Sequence, residues 1–150
     1  MKRKTSILVV DDDESICKTL GLILEGRGYN VDVAYSGEKA IEKSRAKAYN
    51  IAILDIVLPD IQGTELLKAL QETTPKMIKI MLTGYPKLDN AIEALNYDAE
   101  AYLTKPVNPE NLIKVIEEKL EKQRREEIMT VKRIEAFVKT RTQRLLEEME

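Results

Sequence analysis

Histidine is absent from all 150 residues, and cysteine occurs once, as Cys17. Without imidazole, Ser–His and Cys–His nucleophilic catalysis, histidine-ligated metal sites and phosphohistidine chemistry on this chain are excluded. A lone cysteine forms no internal disulfide, which fits a reducing cytosol. No apolar run approaches the roughly 20 residues that a bilayer crossing needs. The basic start Met1-Lys2-Arg3-Lys4 is followed only by the short stretch Ile7 to Val10 before three aspartates, too short for the core of a signal peptide. No glycine-rich phosphate loop follows that first apolar run, which argues against a nucleotide-binding protein. The net charge of −2 gives no bulk attraction for nucleic acid. The chain therefore reads as cytoplasmic, with no membrane and no direct nucleic-acid partner. Its chemistry must run on carboxylates, hydroxyls and lysines.

What is present suits a packed core, since 43% of residues are hydrophobic and 33% charged. The length fits one domain with an appendage. Short apolar runs alternate with segments of helical period. Ile7-Leu8-Val9-Val10 and Ile51-Ala52-Ile53-Leu54 are continuous runs, as in strands buried on both faces. Val31 to Ala34, Ile78 to Leu82 and Ala101 to Leu103 complete a set of five strands. Between them lie helical patterns at Ile16, Leu20, Ile23 and Leu24, ended by Gly26 and Gly28, and at Ala40 and Ile41, capped by Ser36. Two more follow, at Leu66, Leu67 and Leu70, stopped near Pro75, and at Ala91, Ile92 and Leu95. Asn108-Pro109 opens a last helix with Leu112, Ile113, Ile116 and Leu120 on its buried side. Five βα units predict a parallel sheet covered by helices on both faces, with its site at the carboxyl ends of the strands.

After Pro109 there is no further glycine or proline, so nothing in the composition stops the last helix. If continuous to Glu150 it would span about 60 Å. Ile128, Val131, Ile134, Val138, Leu145 and Met149 keep a three-four spacing that Arg141 and Thr142 interrupt, an imperfect heptad seam. Eight basic side chains and seven glutamates between residues 121 and 150 suit an exposed or coiled-coil helix better than one that reads DNA. We expect a domain over residues 1–121 and a helical extension, connector or coiled-coil-like, over 122–150.

The strand ends bring Asp11, Asp12, Asp55, Thr83 and Lys105 to one edge. Taken singly, Asp11, Asp12 and Asp13 could be a solvated loop with a helix N-cap, Tyr102 a core aromatic, and Cys17 a small buried helix residue. Asp13 keeps the capping reading. Crowded carboxylates repel each other, and a hard divalent cation such as Mg²⁺ resolves the repulsion with oxygen ligands. A lysine adds positive charge, and a threonine hydroxyl can donate to a phosphoryl oxygen. These are the parts of in-line phosphoryl transfer to a carboxylate.

The segments Val9-Val10-Asp11-Asp12, Leu54-Asp55-Ile56-Val57-Leu58-Pro59-Asp60-Ile61-Gln62-Gly63, Leu82-Thr83-Gly84 and Tyr102-Leu103-Thr104-Lys105-Pro106 strongly resemble the response-regulator receiver family of two-component signalling. The resemblance covers about residues 5–120. It implies a flavodoxin-like, doubly wound α/β fold, with a five-stranded parallel sheet of order 2-1-3-4-5 flanked by five helices. It implies Asp55 as phosphoacceptor, and Mg²⁺ held by Asp11, Asp12, Asp55 and the Val57 backbone carbonyl. Thr83, Gly84 and Lys105 would face the phosphoryl group, with Gly84 leaving room for a bulky donor. Thr83 and Tyr102 would act as the switch pair, and Lys105-Pro106 would be a cis peptide.

The implied partner is a sensor histidine kinase or phosphotransfer protein. A homodimer through the fourth-helix/fifth-strand/fifth-helix face or through the C-terminal helix is a further expectation. Val57 and Tyr85 occupy positions that tune loss of the phosphoryl group in the family, and an apolar Val57 implies a long-lived phosphoaspartate. A haloacid-dehalogenase-like phosphatase would need a second aspartate where Val57 stands. The alternative output reading is a stand-alone single-domain regulator rather than the receiver end of a longer effector protein.

Overall fold

The structure is a computed structural model that describes residues 4–84 and 99–149. Five strands, β1 (Ser6–Val10), β2 (Asn30–Ala34), β3 (Ile51–Asp55), β4 (Ile78–Thr83) and β5 (Ala101–Thr104), form one sheet of order β2-β1-β3-β4-β5. All four pairings are parallel. The order reverses direction at β1, so the carboxyl ends of β1 and β3 flank the switch point where such sheets bind ligands. The described helices are α1 (Glu14–Gly26), α2 (Gly37–Ala46), α3 (Gly63–Thr73) and the C-terminal helix α4 (Pro109–Glu148). The helix expected around Ala91, Ile92 and Leu95, and the position of Tyr85, lie outside the described residues.

The central strands are buried on both faces, with β3 and β4 buried at every position. That is why their sequences read as continuous apolar runs rather than alternating ones. Ahead of the polar residues that end these strands, Asp55 and Thr83, Lys79 of β4 breaks the pattern: it is fully buried, and its ammonium donates to the Met77 carbonyl at 2.9 Å. Leu8, Val10, Ala52, Leu54, Leu66, Leu67 and Leu70 make up much of the core cluster, with Tyr102 packed against it.

Local signals set the helix ends. Asp13 caps α1 by accepting from the Ser15 and Ile16 amides, and Ser36 caps α2 by accepting from Lys39. The turn after α1 places Gly28 at φ 91°, a backbone region that side-chain-bearing residues seldom adopt. The Asn108 side chain accepts from the Asn111 amide at the start of α4. The chain divides into two compact units, residues 1–115 and 116–150, each described by itself. The second is a helix whose large apolar residues from Ile128 onward are about half exposed or more.

Candidate functional site

The carboxyl ends of β1, β3 and β4 and the segment after β5 carry the polar residues. Val10 closes β1, so the next two positions, Asp11 and Asp12, leave the sheet at its carboxyl edge. The Asp11 amide donates to the Ala34 carbonyl, which ties this turn to β2. Asp55 is the last residue of β3 and Thr83 the last of β4. The amide of Lys105 donates to the Thr83 carbonyl, and the Lys105–Pro106 peptide bond is cis.

Carboxylate oxygens of Asp11, Asp12 and Asp55 lie within 4.8 Å of one another. Asp11 and Asp55 are buried and Asp12 is exposed. The Lys105 ammonium reaches between the two buried ones, 2.7 Å from Asp11 Oδ2 and 3.1 Å from Asp55 Oδ2. The remaining oxygens are held from the backbone. Asp11 Oδ1 accepts from the Asp13 amide at 2.9 Å, and Asp55 Oδ1 from the Val57 amide at 3.2 Å.

Burial pushes the Asp55 carboxyl above its usual range, and the nearby Asp11 charge adds to the rise. Hydrogen bonds from Val57 and Lys105 oppose it. Burial alone would lower the pKa of Lys105, but its contacts with Asp11 and Asp55 outweigh that and raise it. The ammonium therefore stays charged at neutral pH. Three carboxylates against one ammonium leave a formal deficit of two positive charges at the cluster (3 − 1 = 2). That deficit and an all-oxygen donor set suit a hard divalent cation.

Two anchors at the site were not read from the sequence. The Cys17 thiol on α1 donates to the Asp11 carbonyl at 3.3 Å. Asp60, in the loop after Asp55, caps the start of α2, its two oxygens accepting from the Gly37 and Glu38 amides at 2.9 and 2.8 Å. No sequence signal marks either contact, since both depend on how separate segments meet. Val57 is 59% exposed. The Tyr102 hydroxyl is enclosed and has no hydrogen-bond partner among the described residues. Beside Lys105, a largely apolar groove of about 480 Å³ runs along α1, lined by Ile16, Leu20, Ile23, Leu82, Pro106 and Val107 among others.

A five-stranded parallel sheet in this order, with a carboxylate–lysine cluster at the carboxyl ends of its central strands, defines a flavodoxin-like α/β phosphoacceptor class. The family model described as "Response regulator receiver domain" matches residues 7–117, and the chain belongs to that family. Its members are signalling phosphoacceptor domains rather than classical enzymes.

A CheY-like receiver domain from Methanospirillum hungatei superposes with a TM-score of 0.81 at 44% identity, covering 83% of this chain and 99% of that one. A response regulator from Burkholderia pseudomallei, solved with a phosphorylated aspartic acid and a calcium ion, gives 0.71 at 30% identity, covering 79% and 73%. Among curated relatives, the transcriptional regulatory protein ZraR of Salmonella typhimurium is 35% identical over 120 residues, 80% of this chain. The chain spans about a quarter of ZraR's length, 27%.

Proposed function

We propose that Asp55 receives the phosphoryl group, with Mg²⁺ bound by Asp11, Asp12, Asp55 and the Val57 backbone carbonyl. The observation that carries this reading is the gathering of three carboxylates within 4.8 Å around a single ammonium. Bound there, the cation would neutralise charge shared between the carboxylates and the incoming phosphoryl oxygens. A carboxylate oxygen of Asp55 attacks phosphorus, the bond from phosphorus to the donor's imidazole nitrogen breaks, and an aspartyl phosphate forms. The imidazole leaves with the bonding electron pair and takes a proton. Lys105 exchanges a carboxylate contact for a phosphoryl oxygen, Thr83 donates its hydroxyl to another, and Gly84 leaves room for the donor.

The donor in this reading is a phosphohistidine on a sensor kinase or phosphotransfer protein. The output is a Thr83–Tyr102 rearrangement. The Tyr102 ring packs, partly buried, against the core cluster, and in this reading it takes a second position when Thr83 moves. We assign the receiver to residues 1–121 and a connecting or pairing helix to 122–150. Homodimerisation would use the face that includes β5 or the C-terminal helix. A stand-alone regulator is the alternative output.

No described helix is long and apolar enough to cross a membrane, and the cytoplasm is the proposed location. The test is Mg²⁺-dependent labelling by a small phosphodonor, comparing wild type with Asp55→Asn. Label on the wild type alone supports the reading, and an unlabelled wild type overturns it.

A further inference from the structure

From Ile128 to the end of α4, every described residue is exposed, including Val131, Val138 and Leu145, each more than half exposed. A lone helix gains nothing from such a display, and a stripe of this kind marks an interaction face. The best-filled seam runs through Ile128, Val131, Glu135, Val138, Thr142, Leu145 and Met149, alternating steps of three and four residues. Those are the core a and d positions of a two-stranded coiled coil, with Glu127 and Ile134 on one flank and Lys132 and Lys139 on the other.

We propose that residues 128–149 pair with the same segment of a second copy of this chain, as a parallel, in-register coiled coil. The charges on the rims of the seam favour this occupant and this direction. Among the described residues, neither Glu127 nor Lys132 makes an ion pair. In a parallel in-register pair, Glu127 of each helix lies across the seam from Lys132 of the other, which satisfies both charges twice. The antiparallel pairing that layers Ile128 on Leu145 would set Glu135 against Val138 and spare the seam its carboxylate pair, but it brings Lys132 beside Lys139 and Glu127 beside Glu148, like against like along both rims. A second copy supplies the complementary charges and apolar side chains together.

Glu135 works against pairing, because the two copies meet carboxylate to carboxylate in the seam. A polar residue at one core position fixes register and lowers stability. The association is therefore weak and concentration-dependent, a property suited to regulation. This deepens the reading of residues 122–150 as a connecting or pairing helix.

The full-length chain is tested by sedimentation over a range of concentrations, alongside phosphodonor labelling of Asp55 in the same samples. Glu135→Leu should tighten association by about tenfold or more. Glu127→Lys should weaken it, and the double variant Glu127→Lys/Lys132→Glu should restore it. Val131→Cys should give a disulfide-linked dimer under mild oxidation, because only the parallel in-register pair brings residue 131 against its own copy. A chain that stays monomeric even as Glu135→Leu overturns the proposal. So does association that survives Val138→Glu, or failure of Val131→Cys to cross-link. Loss of labelling with pairing intact would count against the Asp55 reading and leave this one standing.

Discussion

The ammonium of Lys105 lies 2.7 Å from Asp11 Oδ2, a contact between residues 94 positions apart that closes the sheet's carboxyl edge. The Lys105 side chain is about one-fifth exposed and that of Asp11 only 3%, so removing the lysine leaves buried carboxylates facing one another. Breaking a buried pair from one side costs roughly 3–5 kcal/mol, and the partial exposure here brings the expected loss for Lys105→Met to about 2–3 kcal/mol. Saturating Mg²⁺ should recover more stability in the variant than in the wild type, because the cation replaces the missing charge. Urea denaturation with and without Mg²⁺ checks both. Equal Mg²⁺ stabilisation of the two proteins would show that the lysine and the cation do not answer to the same carboxylates.

Gly63 and Gly21 should respond to alanine in opposite ways. A Cβ at Gly63 would sit 2.5 Å from Ile56 Cα and 2.7 Å from the Asp55 carbonyl oxygen, backbone that cannot yield without moving the loop after Asp55. Gly63→Ala should cost at least about 1–3 kcal/mol and weaken Mg²⁺ binding, because Val57 lies in the displaced loop. A Cβ at Gly21, within α1, meets nothing within 4 Å. Gly21→Ala should stabilise by about 0.5–1 kcal/mol through helix propensity. Thermal unfolding and Mg²⁺ titration calorimetry of both variants provide the check.

The strands and the acidic edge were legible because a parallel sheet covered on both faces writes its strands as unbroken apolar runs. Ile51 to Leu54 ends on Asp55 for that reason, and Ile7 to Val10 on Asp11. The caps at Asp13 and Ser36 were legible because capping is local. Lys79 was not: it stands between Ile78 and Ile80, where an alternating reading would place it on a wet face, and this sheet has none at β4. Its burial follows from the layer architecture, which no short window contains. Asp60 escaped for a related reason. In sequence it belongs to the loop after Asp55, whereas in the fold it caps a helix 23 residues earlier.

That cap has a pH signature. Hydrogen bonds from the Glu38 and Gly37 amides hold the Asp60 carboxyl below its ordinary value of 3.8. A carboxylate whose pKa is depressed on folding contributes stability that is present above the unfolded value and lost as pH falls through the folded one. Asp60→Ala should therefore be less stable than wild type at neutral pH, and the gap should close as pH drops below about 4. Asp60→Asn keeps an accepting oxygen without the charge, so its own cap should not vary with pH. Urea midpoints of the three proteins across pH 3 to 7 test this, and a gap between wild type and Asp60→Ala that stays constant down to the acid limit would contradict it.

Val57 sets an expectation for how long a signal lasts. Its amide donates to Asp55 Oδ1 at 3.2 Å, while its side chain is 59% exposed. Hydrolysis of an aspartyl phosphate needs a water placed in line with the bond to phosphorus, and an isopropyl group neither donates to such a water nor accepts from it. An amide at the same position could orient it. Val57→Asn should therefore speed loss of label by about five- to tenfold, short of the ~10²–10⁴-fold given by a full general acid or base. Mg²⁺ affinity should hardly change, since the proposed contact is the backbone carbonyl, which the substitution keeps. Following label decay in Mg²⁺ buffer after removing the phosphodonor separates the two effects. Rapid decay in the wild type, unaltered in Val57→Asn, would show that water reaches phosphorus without help from this side chain's position.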